Sequence, residues 1–77
     1  MTHFKIFDNG GETADRYTLI NKDREIFGFD NNPFSPTGFG QYCGDVPKNM
    51  TTFEHLGTEI KLKDLSGEAQ KFVNERI

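Results

Sequence analysis

The residues best suited to catalysis are a lone cysteine, Cys43, and His55, with the carboxylates Asp45 and Glu54 close to them in the chain. A thiol nucleophile needs a base and a group that orients the base, and these residue types supply all three roles. Glycines around Cys43 also leave backbone N–H groups free to stabilise an oxyanion. A chain of 77 residues, however, offers little rigid scaffold for such a site. A thiol enzyme that uses Cys43 is therefore an alternative, and we predict a protein that is not an enzyme.

The spacing of the candidate ligands gives little support for a metal site. Cys43, His3 and His55 are the only thiol and imidazole groups, and no two of them have the spacing of zinc ligands on one element. Residues 8–12 resemble the start of a calcium loop, but the twelfth position of that loop is Leu19 instead of a glutamate. We therefore predict neither a metal nor a cofactor.

Aromatic residues are the unusual feature of the composition, since eight Phe and two Tyr stand against eleven Leu, Ile and Val. Three of the rings, Phe34, Phe39 and Tyr42, lie in residues 30–45. Two prolines and three glycines in this stretch predict a long irregular loop. Two roles are open for the rings. They fold back over an apolar face of the sheet and complete the core, or they form a surface whose glycines admit a partner backbone.

A further candidate for binding is Arg16, in the run Asp15-Arg16-Tyr17-Thr18. In one interpretation Asp15 caps a loop, Arg16 is solvated and Tyr17 belongs to the core. In the other, Arg16 faces a partner beside Phe29, because arginine and aromatic residues are enriched at interaction hot spots. The predicted partner-binding residues are Arg16, Phe34, Phe39, Gln41 and Tyr42.

The charge distribution disfavours nucleic acid and membranes as partners. The net charge is −3, and the nine basic residues are scattered, so no stripe exists to neutralise a phosphate backbone. No apolar run approaches the roughly 18 residues of a membrane span. Stacking of single-stranded nucleic acid on the loop rings, near Arg16 and Lys5, is kept as an alternative function.

Length and cysteine usage predict one small cytoplasmic domain. A chain of 77 residues suffices for one core and is too short for two. A lone cysteine makes no intramolecular disulfide, and the first residues carry neither the basic region nor the apolar run of a secretion signal. We therefore assign residues 1–77 to a single domain in the cytoplasm.

The elements that must position these residues are a sheet and one helix. Alternating hydrophobicity and β-forming residues predict strands at 3–8, 16–20, 25–29 and 58–62. Residues 46–53 have an ambiguous pattern, read as one short helical turn. Apolar residues from Leu65 to Ile77 share a helical face, and Ser66 is the predicted N-cap. The predicted fold class is α+β, with an antiparallel sheet of three to four strands, one C-terminal helix and a long aromatic loop rich in Gly and Pro.

The predicted register leaves both faces of the sheet apolar. Pairing of Ile6 with Tyr17 across the first hairpin keeps one face apolar. A turn over residues 21–24 in the second hairpin pairs Leu19 with Ile26. One helix covers only one face, so the other face needs a loop, a partner or both. The residues predicted on that other face are Phe7, Ile20, Phe27 and Phe29.

Several short turn-rich runs stand out along the chain. They are Phe7-Asp8-Asn9-Gly10-Gly11, Asp15-Arg16-Tyr17-Thr18, Asn32-Pro33-Phe34 with Gly38-Phe39-Gly40-Gln41, and His55-Leu56-Gly57 followed by Asp64-Leu65. In these runs the chain resembles a family of small uncharacterised proteins of phages and prophage regions. The resemblance covers most of the chain and implies an accessory protein in the host cytoplasm, with no catalytic residues to carry over. We predict a non-enzymatic module that binds another protein, or a second copy of itself, through the aromatic loop.

Overall fold

The computed structural model describes residues 4–77, which form an antiparallel sheet of five strands and one α-helix. The strands are β1 (Lys5–Asp8), β2 (Tyr17–Ile20), β3 (Glu25–Phe29), β4 (Gly40–Asp45) and β5 (Thr58–Ile60), in the order β4-β3-β2-β1-β5. The helix α1 spans Gly67–Asn74, and short 3-10 helices span Glu54–Leu56 and Leu62–Asp64. The α+β class is confirmed, with five strands where three to four were predicted. His3, at the start of the predicted first strand, lies outside the described residues.

β4 is the strand that the sequence did not predict, so irregular structure throughout residues 30–45 is wrong. The sequence of this strand contains two glycines and no alternating apolar residues, so it lacks the pattern that predicts a strand. It forms because the edge of β3 offers a ladder, in which Phe27 pairs with Tyr42 and Gly28 with Gln41. Pairing with a neighbour thus overrides a weak local preference. The irregular loop shrinks to residues 30–39.

The β2–β3 hairpin lies one residue away from the predicted register. Leu19 pairs with Phe27, and Tyr17 pairs with Phe29. The turn has three residues instead of four because Arg24 adopts a left-handed backbone conformation, with a φ of 62°. A shift of one residue moves side chains to the opposite face of a sheet. The predicted place of Phe27 and Phe29 on the reverse face is therefore wrong, and both lie on the face that α1 covers.

The β1–β2 hairpin lies two residues away from the predicted register. Ile6 pairs with Leu19, where the sequence predicted Tyr17. A shift of two residues keeps every side chain on its face, so the faces of these strands are as predicted. The Asn9 side chain stabilises the connecting loop, since its Oδ1 accepts the Gly11 N–H at 2.8 Å.

The main core lies between the sheet and α1. The Ser66 hydroxyl accepts the Ala69 N–H at 3.2 Å, which confirms the predicted N-cap. Burial of each large apolar side chain contributes roughly 1.5–3 kcal/mol. The buried residues of this core are Ile6, Tyr17, Leu19, Phe29, Leu65, Ala69, Phe72 and Val73.

The second face of the sheet is covered by residues 46–56. Phe7, Ile20 and Val46 are buried there. The ring of Phe53 lies over Phe7, with 5.8 Å between centroids. The partly buried residues around them are Ile26, Met50, Phe53 and Leu56. The segment that covers this face is thus one whose sequence pattern was ambiguous. The predicted role of the rings of the aromatic loop as its cover is wrong.

Candidate interaction surface

Aromatic rings from four parts of the chain meet beside α1. The ring centroid of Phe72 lies 6.1 Å from that of Phe34 and 6.5 Å from that of Phe27. The Phe27 ring in turn lies 5.6 Å from the ring of Tyr42. Phe72 is buried, whereas Phe34 and Tyr42 are 46% and 52% exposed. These four residues form a continuous row of rings, exposed at Phe34 and Tyr42, that we call the aromatic strip.

Gly40 allows the backbone of β4 to pass under the aromatic strip. A Cβ atom at this position would lie 2.7 Å from Cε2 of Phe72 and 2.9 Å from Cβ of Pro33. Any side chain would therefore push the Phe72 ring away from the strand. The glycine that makes this segment look irregular in the sequence is the residue that brings β4 and α1 together.

Two cations border the aromatic strip. Cζ of Arg76 lies 3.6 Å from the centroid of Phe72 and 5.6 Å from that of Phe27. Nη1 of Arg76 also donates to the carbonyl oxygen of Phe72 at 2.9 Å, which holds the guanidinium over the ring. Nζ of Lys71 lies 5.3 Å from the centroid of Phe34. The surface therefore combines exposed rings with positive charge, held by cation–π contacts.

The Tyr42 side chain is fixed by a hydrogen bond at its tip. Its hydroxyl donates to Oδ1 of Asp45 at 2.7 Å. This bond to a carboxylate, together with some desolvation, raises the pKa of the Tyr42 hydroxyl above its ordinary value, so the ring remains neutral. A half-exposed ring that is already held in place loses little rotamer freedom when a partner binds.

β4 is an edge strand whose outer side has no neighbour among residues 4–77. The Asp30 N–H donates to the carbonyl oxygen of Phe39 at 2.9 Å, so the polar groups of Phe39 face β3. Alternation along the strand then directs the N–H and C=O groups of Gly40 and Tyr42 away from the sheet. β4 has no Lys, Arg or Pro, the residues that commonly block pairing at an edge. The opposite edge, β5, has only three residues.

A bulge limits the length of the open edge. The register between β3 and β4 shifts by one residue between Ile26 and Phe27, because Tyr42 pairs with Phe27 and Gly44 pairs with Ile26. Such a bulge bends a strand and interrupts its regular pairing. The regular part of the edge therefore runs over residues 39–42, directly beside the aromatic strip.

The structure brings only two of the five predicted binding residues together, Phe34 and Tyr42. Phe39 is half-buried and Gln41 is exposed. Both alternate with Tyr42 along β4 and so belong to the opposite face of the sheet. The remaining residue, Arg16, immediately precedes β2.

Arg16 is engaged within its own hairpin. Its Nε and Nη2 donate to the two carboxylate oxygens of Asp8 at 2.9 and 3.1 Å. The hydrogen bond lowers the pKa of the Asp8 carboxyl and raises that of the Arg16 guanidinium. The Arg16 guanidinium also lies 5.3 Å from the centroid of the Tyr17 ring. Its predicted position beside Phe29 on the reverse face is wrong, because Phe29 is fully buried in the main core.

Four residues of this surface escaped sequence reasoning, namely Phe27, Lys71, Phe72 and Arg76. Phe72 belongs to the apolar face of the predicted helix, which indicates a place in the core, and the positions of Lys71 and Arg76 near the end of that helix indicate only a favourable interaction with its dipole. The spacing offered one signal, because Arg76 follows Phe72 by four residues and such pairs meet on a helix. Phe27 required the correct register of the β2–β3 hairpin.

The groups proposed for thiol chemistry make no catalytic arrangement among the described contacts. Cys43 is exposed, and its Sγ lies 3.7 Å from the carbonyl oxygen of Gln41. His55 lies in the 3-10 helix Glu54–Leu56, on the segment that covers the second face. Within residues 4–77, no group of three or more His, Cys, Asp or Glu side chains is arranged to hold a metal ion. In the same range no helix has the length and apolar character needed to cross a membrane.

Comparison of the chain with protein-family models, curated proteins and solved structures gives no match. The resemblance to small phage proteins therefore stays a prediction. The function has to be argued from the contacts of the aromatic strip and the exposed edge of β4.

Proposed function

We propose that this domain binds another protein by accepting an extended segment of it along the outer edge of β4. One observation carries the proposal: the outward-facing polar groups of Gly40 and Tyr42 lie directly beside two half-exposed rings. Strand addition of this kind gains affinity from main-chain hydrogen bonds and specificity from pockets for alternate side chains. Here the edge of β4 supplies the main-chain hydrogen bonds, and the aromatic strip supplies the contacts for side chains.

The aromatic strip defines which side chains the added strand carries. Alternate residues of that strand lie on the same face as Tyr42 and reach the rings. The residue that pairs with Gly40 lies beside the Phe72 ring and Pro33, which fill the space next to the glycine, and this apolar surface favours an apolar or aromatic group there. Nζ of Lys71 makes no ion pair within residues 4–77, so it favours an acidic side chain at the end near Phe34.

The overall charge supports a protein partner over a nucleic acid. The net charge is −3, and Asp45 accepts a hydrogen bond from Tyr42 at one end of the aromatic strip. A carboxylate at that position repels a phosphate backbone, whose neutralisation is the main source of affinity for nucleic acids. The context of a non-enzymatic phage or prophage accessory protein in the cytoplasm rests on the sequence resemblance alone.

The test compares variants of the aromatic strip with a matched variant outside it. The chain is used to capture partners from its native host, and the affinity of a captured protein is then measured by calorimetry. Phe34→Ser and Tyr42→Thr are each expected to weaken binding by roughly 30-fold, the effect of a hot-spot residue of about 2 kcal/mol. Ile77→Ser serves as the control, because Ile77 is an apolar residue that is 36% exposed and is not one of the four residues of the strip.

Three outcomes decide between the proposal and its alternatives. Unchanged binding by the Phe34→Ser/Tyr42→Thr double variant, with an unchanged circular dichroism spectrum, contradicts the proposal. Binding of a labelled single-stranded oligonucleotide at low salt supports stacking of nucleic acid on the rings instead. Self-association of the isolated chain in analytical ultracentrifugation, abolished by the same double variant, identifies a second copy as the added strand.

A further inference from the structure

A cavity of about 360 Å³ lies where the start of β1, the β2–β3 turn and Phe53 meet. Three cations line it, Lys5, Lys22 and Arg24, together with the rings of Phe4 and Phe53. Among the described residues that line it there is no Asp or Glu, although the whole chain has twelve acidic residues and nine basic ones. Lys5 and Phe53 also border a second recess, whose lining includes Glu54 and Glu59, so Lys22 and Arg24 are the cations that line this cavity alone. Like charges gathered at one recess favour an anion there.

The turn that carries two of these cations is rigid. Asn21 is buried, and its Oδ1 accepts the N–H groups of Asp23 and Glu25 at 3.1 and 3.0 Å. Its Nδ2 donates to Oε1 of Glu25 at 2.9 Å and to the carbonyl oxygen of Arg76 at 3.0 Å. The side chain of Glu25 is thereby held by Asn21, and the hydrogen bonds fix the backbone from which the side chains of Lys22 and Arg24 extend.

Arg24 occupies an unusual backbone position with a well-anchored side chain. Its φ of 62° is the left-handed conformation, which glycine or asparagine adopts more readily than arginine. Its Nη2 donates to the carbonyl oxygens of Pro47 and Met50, at 3.2 and 3.4 Å. Both bonds use one nitrogen, so the donors at Nε and Nη1 remain for a ligand. The guanidinium therefore ties the cover segment to the turn and keeps its charge at the cavity.

We propose that this cavity binds a small phosphorylated molecule with an aromatic ring, of the chemical class of a nucleoside monophosphate. A phosphate group matches the cations through charge-assisted hydrogen bonds, which guanidinium groups form especially well. The planar ring stacks against Phe53 or Phe4. The cavity volume lies at the small end of the range of about 300–1,000 Å³ for ligand pockets, so it selects a mononucleotide over an oligonucleotide. This site shares no residue with the aromatic strip, and its test is independent of the function proposed above.

The test titrates the whole chain with AMP, UMP, inorganic phosphate and adenosine by calorimetry at low salt. AMP and UMP are expected to bind more tightly than phosphate alone, and adenosine is expected not to bind. Lys5→Gln/Lys22→Gln is expected to weaken AMP binding at least tenfold. The matched control is Lys48→Gln/Lys63→Gln, which changes the net charge equally at exposed lysines that do not line the cavity. Shifts of the amide resonances of Lys22 and Arg24 on addition of AMP locate the site.

Each departure from these results overturns part or all of the proposal. No binding of AMP to the wild-type chain at low salt refutes it. Equal weakening by the control pair shows a general charge effect without a site. If phosphate binds as tightly as AMP, the aromatic ring of the ligand contributes no affinity. Phe53→Leu is then expected to leave the affinity for AMP unchanged. If the ring of AMP instead contacts Phe53, Phe53→Leu is expected to weaken AMP binding severalfold and to leave phosphate binding unchanged.

Discussion

The two faces of the sheet are covered by different kinds of structure, a helix and an irregular segment. On one face the amphipathic helix α1, capped by Ser66, completes a core of eight buried residues. On the other face residues 46–56 contain a single 3-10 turn and complete a core of three buried residues. A helix presents apolar side chains at regular spacing, and an irregular segment does not. The regular cover therefore closes its face tightly, whereas the irregular cover leaves a recess at its border, the cavity beside Phe53.

The surfaces beside the two covers differ in chemistry as well. Next to α1, the rings of Phe34 and Tyr42 and the edge of β4 are suited to a strand of another protein. Next to residues 46–56, the described lining of the cavity holds three cations and no carboxylate, which suits a small anion. The following predictions separate the two faces, beginning with the largest effect.

Truncation of the central ring on each face gives the largest expected difference. Phe72→Ala is expected to lower the free energy of unfolding by about 3–5 kcal/mol, because Phe72 is 1% exposed and contacts several rings. Phe53→Ala is expected to cost about 1–2 kcal/mol, because Phe53 is only partly buried. Urea denaturation followed by circular dichroism measures both. If Phe72→Ala is too unstable to measure, Phe72→Leu is compared with Phe53→Leu, and the Phe72 variant is expected to cost more because Phe72 is the more deeply buried ring. Equal costs for the two alanine variants would contradict the contrast between the faces.

The entry to β5 from the second cover depends on Gly57. Its φ is 108°, and a Cβ atom there would collide with the backbone of Asp8. Gly57→Ala is therefore expected to cost about 3 kcal/mol, from backbone strain and displacement of β1. Gly10→Ala is the control, because Gly10 also has a positive φ, of 81°, but nothing within 4 Å of its Cβ position. It is expected to cost about 1 kcal/mol in the same denaturation experiment. Equal losses of stability for the two variants would show that the close approach of position 57 to the Asp8 backbone does not destabilise the alanine variant.

The smallest expected effect is a dependence of stability on pH at the Asp8–Arg16 pair. The Arg16 guanidinium lowers the pKa of the Asp8 carboxyl below its ordinary value of 3.8. A carboxyl group with a depressed pKa in the folded state stabilises that state above the pKa of the unfolded chain, and this stability is lost as the pH falls through the folded value. Wild type is therefore expected to lose more stability than Asp8→Asn as the pH falls below about 4. Asp23→Asn, at an exposed carboxylate, is expected to follow wild type, and parallel curves for all three proteins would contradict the role of the pair.

Local patterns in the sequence predicted the elements that depend on local physics. The α1 helix was found because Ser66 supplies a cap and the apolar residues recur on one face. β3 was predicted with its observed bounds from alternating residues between polar turns. β4 was missed because its formation depends on pairing with β3, which no property of residues 40–45 reveals.

The candidate sites were less predictable because they depend on contacts between distant parts of the chain. The left-handed conformation of Arg24 set the hairpin register, and its residue type gives no sign of that conformation. That register moved Phe27 into the aromatic strip. The sequence left open whether Phe34 and Tyr42 complete the core or are exposed, and their meeting with Phe72 required Gly40 to bring β4 under the helix. The cavity required residues 46–56 to pack against the β2–β3 turn.

Amide hydrogen exchange reports whether a partner pairs with the outer edge of β4. In the free chain, the Gly40 and Tyr42 amides are expected to exchange quickly and the Gln41 amide slowly, because the first two N–H groups face away from β3 and the third faces it. In a complex with a captured partner protein, the Gly40 and Tyr42 amides are expected to become protected as main-chain hydrogen bonds form. Amides of Gly40 and Tyr42 that exchange equally fast in the free chain and in the complex would contradict the account.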